Sequence, residues 1–137
     1  MKTVFFAALL CLSIVGPAPL ARAQTLRVSA SPANITNEGE ESIFTLAISP
    51  APLRNIAVNF VMTGNAGLDS DYVLIGDFNN SGQVVIFAGH TTSTITLHAF
   101  SDDDPKSKET AVFNLLGGKG YKVGLPSRAQ VTIQNIP

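Results

Sequence analysis

Apolar and polar residues alternate with period two along almost the whole chain beyond residue 24. Leu26, Val28 and Ala30 alternate in the first segment, and Phe44, Leu46 and Ile48 in the second. Ile56, Val58, Phe60 and Met62 follow, then Ile95, Leu97 and Ala99, then Ala111, Phe113 and Leu115, then Ala129, Val131 and Ile133. Successive side chains of a strand point to opposite faces, so each segment predicts a short strand with one apolar face. Tyr72 to Ile75 and Val84 to Phe87 are short continuous apolar runs, the second followed by an Ala88-Gly89 turn. No segment of helical length carries a 3.6-residue pattern. Gly, Pro, Asn, Asp or Ser bounds each segment, and Pro50, Pro52, Pro105 and Pro126 fall between segments, where a missing N–H costs least. Seven or eight short strands, apolar on one face and rich in Thr, Ser and Asn on the other, predict an all-β fold, an antiparallel β-sandwich.

The first residues follow a different pattern. Lys2 is followed by an apolar stretch, Val4 to Val15, which Gly16, Pro17 and Pro19 break. Ala21-Arg22-Ala23 then offers a small-x-small cleavage site. This order predicts a secretory signal peptide over residues 1–23 and a single domain over 24–137. Cys11 lies inside the apolar stretch, so the predicted mature chain has no cysteine, and its stability rests on packing or bound ions rather than disulfides. No second hydrophobic span exists, so the predicted mature product is secreted or extracytoplasmic, with no membrane insertion after cleavage. Without Lys2 and Arg22 the nine basic residues become seven against ten acidic ones, a net charge of −3. That balance argues against nucleic acid and anionic membrane surfaces as partners.

The acids are not spread evenly. Asp102, Asp103 and Asp104 directly follow the regular Thr94–Phe100 segment. Like charges a few ångströms apart repel by about 4 kcal/mol per pair near a protein surface. Such a run is either a solvated turn, which Asp and the following Pro105 favour, or a place that holds a cation.

Further local patterns stand in a fixed order around it. Asn37-Glu38-Gly39 precedes the second strand, and Asp69-Ser70-Asp71-Tyr72 follows the third. Phe87-Ala88-Gly89-His90-Thr91 enters the strand that runs into Asp102-Asp103. Glu109-Thr110 opens the next, and Gly120-Tyr121-Lys122-Val123-Gly124 leads into Ala129-Gln130-Val131-Thr132-Ile133. Together these resemble the Calx-beta domain of sodium–calcium exchangers, integrin beta-4 and many bacterial surface and secreted proteins, over roughly residues 26 to 136.

The resemblance implies an immunoglobulin-like sandwich of 7–8 strands that binds Ca²⁺ between loops at one end. Matched by position, its acidic ligands fall on Glu38, Asp71, Asp102 and Asp103, with Asp104 a neighbouring acid able to join them. Ca²⁺ takes six to eight oxygen ligands, so such a set suits it. Two departures weaken the match. Lys106 stands where the family usually has a ligand glutamate, and Gln134 and Asn135 stand where it tends to end in an acidic pair. Ligand charge tunes Ca²⁺ affinity over orders of magnitude, so these changes predict a weak site or none. Without the ion, Asp71 caps a turn and Gly39 supplies a positive φ to a tight one.

Other chemistry finds little support. His90 and His98 lack cysteine partners for zinc. The chain has no nucleophile elbow, His-Glu-x-x-His motif or phosphate-binding glycine loop, and without Trp it lacks the usual lining of a sugar cleft. Asn34-Ile35-Thr36 and Asn79-Asn80-Ser81 match the N-glycosylation pattern, which arises often by chance. The expected protein is therefore not an enzyme. It is a structural or adhesion module with an extracellular protein or surface component as partner, or a relative of a longer multi-module adhesin. The alternative is a metal-free protein-protein interaction module using edge strands or its Thr-rich face.

Overall fold

The alternating segments close into two facing sheets. The computed structural model describes Gly16 and residues 24–31, 36–79, 81–101 and 108–134. The strands are β1 (Thr25–Ser31), β2 (Thr36–Asn37), β3 (Glu41–Ser49), β4 (Ile56–Thr63), β5 (Tyr72–Gly76) and β6 (Phe78–Asn79). They continue as β7 (Gln83–Ile86), β8 (Thr92–Ala99), β9 (Glu109–Leu115), β10 (Lys122–Val123) and β11 (Arg128–Gln134). Eight of these have four residues or more, as the alternation predicts; β2, β6 and β10 are two-residue pairings that no periodicity can announce. No helix occurs among the described residues.

One sheet has the order β10-β1-β3-β8-β5 and the other β2-β11-β9-β4-β7-β6. Neighbours are antiparallel except β1 with β10 and β2 with β11. Short strands at three of the four sheet edges limit the unpaired backbone offered to other chains.

The register puts one residue class inside. In β3, Ser42, Phe44, Leu46 and Ile48 are buried, while Glu41, Ile43, Ala47 and Ser49 face out. Leu26, Val28, Ile95 and Leu97 cover the same inner face, against Val58, Val84, Phe113 and Val131 from the other sheet. Phe113 lies between Phe44 of the facing sheet, with ring centroids 5.2 Å apart, and Phe60, stacked at 4.6 Å. Full burial of each such side chain stabilises by about 1.5–3 kcal/mol. Among the described residues, the core runs from Leu26 to Ile133.

The two continuous apolar runs resolve differently from their appearance. In β5, Tyr72 and Leu74 point inward while Val73 and Ile75 face out, Ile75 being half exposed. Phe87 lies beyond the end of β7 on an exposed turn.

A tyrosine fixes one connection. The Tyr121 hydroxyl donates to the Leu116 carbonyl at 2.7 Å and accepts from the Asn59 N–H at 3.0 Å, tying the segment after β9 to β4.

Candidate functional site

Four separate stretches meet at one end of the sandwich through backbone hydrogen bonds. The Glu38 N–H donates to the Gln134 carbonyl at 3.1 Å, joining the β2–β3 turn to the end of β11. The Gly39 N–H donates to the Ala99 carbonyl, and the Ala99 N–H donates to the Glu40 carbonyl, both at 3.0 Å. That pair locks the same turn to the end of β8. The Phe100 N–H then donates to the Asp71 carbonyl at 2.8 Å, bringing in the β4–β5 loop. Glu38, Asp71, Gln134 and the approach to Ser101 therefore share one end, which a sandwich allows because its loops cluster there.

Local chemistry shapes each stretch. Gly39 has φ 79°, the left-handed region that glycine enters without strain, as the tight turn requires. Glu40 braces this turn: its Oε2 accepts from the Asn37 N–H at 3.3 Å and from Asn37 Nδ2 at 3.1 Å. Asp71 is buried, and its Oδ2 accepts a short hydrogen bond from the Gly67 N–H. Its carboxylate closes the loop from Gly67 to Asp71, the turn-capping role that its sequence position allows.

The end is acid-rich beyond the predicted set. Glu40, Glu41, Asp69 and Glu109 also belong to it. Glu41 pairs with His98 across the strands, with 3.6 Å between Oε1 and Nδ1. Asp69 stands in the left-handed region with φ 69°. The Asp-x-Asp spacing of Asp69 and Asp71 is the signal that marks Asp69 in the sequence, and Asn-x-x-Glu is the signal for Glu40 as a turn brace. The Tyr72 phenol beside them is pushed up to about 12, first by burial and then by the negative charges of Asp69 and Asp71.

Asp102, Asp103, Asp104, Lys106 and Asn135 lie outside the described residues. Among the described residues, no three His, Cys, Asp or Glu side chains stand close enough together to hold a metal ion. The backbone bonds bring Glu38, Asp71 and Gln134 to this end, and their side chains carry oxygen donors of the type Ca²⁺ takes.

The other candidate sites separate. His90 lies on the turn before β8 and His98 near the far end of that strand, so eight residues of extended chain hold them apart. Asn79 Oδ1 accepts from the N–H groups of Ser81 and Gln83 at 3.0 and 3.1 Å, so its amide braces the β6–β7 turn. A cleft of about 590 Å³ opens between β4, β5 and β6, lined by Phe60, Met62, Leu74 and Phe78, with Asp69 the one carboxylate among its described lining residues.

Among the described residues the chain is a two-sheet, all-strand sandwich, and its fold is similar to that of the Calx CBD domains. The structure of the apo form of the Calx CBD1 domain is similar at a TM-score of 0.61 and 18% identity, over 82% of this chain and 98% of that one. CBD12 from CALX1.2 is similar at 0.62 and 18%, over 80% of this chain and 45% of that one. The calcium binding domain CBD12 of CALX1.1 is similar at 0.60 and 18%, over 80% and 44%. This chain thus spans just under half of each CBD12 structure. No family model matches the chain, and no curated protein matches it in sequence.

Proposed function

We propose that this protein is a secreted, non-catalytic Calx-type module whose acid-rich end binds Ca²⁺ weakly and serves a structural or adhesion role. Glu38 and Asp71, with Asp102, Asp103 and Asp104, supply the carboxylates, and Gln134 adds an uncharged oxygen. The observation that carries this reading is the backbone convergence of the β2–β3 turn, the Asp71 loop, the end of β8 and the end of β11 on one small region. The description of the similar CALX1.1 domain as calcium binding supports it. Ca²⁺ neutralises charges that otherwise repel, orders the loops and stabilises the native state by about 2.7 kcal/mol at a hundredfold excess over Kd. Thermal melts of residues 24–137 in Ca²⁺ and in chelator test this. A higher Tm in Ca²⁺ that Asp103→Asn abolishes supports it; identical melts in both conditions overturn it.

One observation favours a second reading, a metal-free interaction module. The Asp71 carboxylate is already committed to the Gly67 N–H, which gives it a structural task without any ion. Lys106 adds a cation to the acidic segment. On this reading Asp103→Asn leaves stability unchanged with or without Ca²⁺.

A further inference from the structure

Charge is segregated along the long axis of the sandwich. Of the seven described acids, Glu38, Glu40, Glu41, Asp69, Asp71 and Glu109 lie at the end already discussed; Asp77, beyond β5, does not. Of the six described bases, Lys108, beside Glu109, lies at that acidic end, and the other five are placed oppositely. Arg54 lies on the β3–β4 loop, Lys119 on the turn before β10, and Lys122 pairs with Thr25, which in turn pairs with Ser49. Arg27 and Arg128 belong to the same half through their pairs with Ala47 and Asn114.

That basic end also carries apolar tips. Leu53 is 95% exposed on the β3–β4 loop, next to Arg54, and Phe87 is 47% exposed on the β7–β8 turn. The two loops are fixed to each other. The Gly89 N–H donates to the Pro52 carbonyl at 2.7 Å, and the Ala88 N–H donates to Asn55 Oδ1 at 3.0 Å. Leu116, 43% exposed, follows β9 at this end. A single exposed leucine has no meaning by itself. Two apolar side chains on loops held together, with Arg54, Lys119 and Lys122 at the same end, form an amphipathic tip.

We propose that this end docks on the surface of a lipid bilayer carrying anionic headgroups, with Leu53 and Phe87 entering the interface and the bases facing the headgroups. The net charge of −3 argues against such a partner only when both ends are averaged; the Debye length near 8 Å at physiological salt screens a surface from the far, acidic end of the domain. The acidic end of a second copy of this chain matches the bases but places Leu53 against carboxylates, so the apolar tips favour lipid. Basic residues near an anionic surface each contribute about fivefold to partitioning.

Co-sedimentation of residues 24–137 with vesicles tests this, in chelator so that the outcome is independent of Ca²⁺. The expected result is binding to phosphatidylcholine vesicles containing phosphatidylglycerol, little binding to phosphatidylcholine alone, and loss of binding at high salt. Leu53→Ser lowers partitioning about tenfold, and Lys119→Glu with Lys122→Glu lowers it more than twentyfold. Ile75→Ser, on the outer face of β5, leaves it unchanged, and circular dichroism confirms that each variant is folded. Absence of binding, equal binding to both vesicle types, equal loss in Ile75→Ser, or vesicle-independent self-association overturns the proposal.

Discussion

The Phe100 N–H donates to the Asp71 carbonyl at 2.8 Å, two residues before the aspartate run begins. This bond joins a loop closed by its own buried carboxylate to the strand that the three further acids follow in sequence. Asp71 thus has two tasks: its backbone registers β5 against the end of β8, and its side chain closes the turn at Gly67.

The side-chain task predicts a graded loss of stability. Asp71→Asn keeps an acceptor but removes the charge that strengthens the bond, and it costs about 1–2 kcal/mol. Asp71→Ala leaves the Gly67 N–H without this acceptor and costs about 2–3 kcal/mol. Urea unfolding in chelator measures both. Wild-type stability in Asp71→Ala would show that the turn does not depend on this carboxylate.

The strand core was legible because one inward and one outward residue per step leaves a period-two trace. That trace vanished where both faces were apolar. Tyr72 to Ile75 hides its alternation because Val73 and Ile75 are apolar yet face out. Phe87 looked like a continuation of β7 but caps an exposed turn. Glu38 and Asp71 were legible only through a family pattern, because the bonds that gather them connect residues distant in sequence. The opposed charge of the two ends was invisible to net charge, which does not record where each residue falls in the register.

The link between Tyr121 and β4 predicts a hydroxyl-specific effect. Tyr121→Phe keeps the buried ring but removes the donor to Leu116 and the acceptor for Asn59. The expected cost is about 1–3 kcal/mol, since two backbone groups lose a partner. Urea unfolding with an unchanged m-value checks it; a midpoint equal to wild type contradicts it.

The Tyr72 phenol sets an alkaline limit. Its value is raised from 10.0 to about 12, by burial first and then by Asp69 and Asp71. Between these values the unfolded chain binds fewer protons than the folded one, so stability falls as pH rises. The contribution is fully present below pH 10 and is lost as pH passes through about 12. Tyr72→Phe flattens this part of the stability–pH curve. Curves of equal slope in both proteins would rule out Tyr72 as its source.

Amide chemical shifts of residues 24–137 during a Ca²⁺ titration show whether the Glu38 and Asp71 end responds to calcium. The predicted result is saturable movement at Glu38, Gly39, Asp71, Phe100 and Ser101, with Arg54, Gly89 and Lys122 at the opposite end unmoved. A spectrum unchanged across the titration, or movement confined to the opposite end, would contradict it.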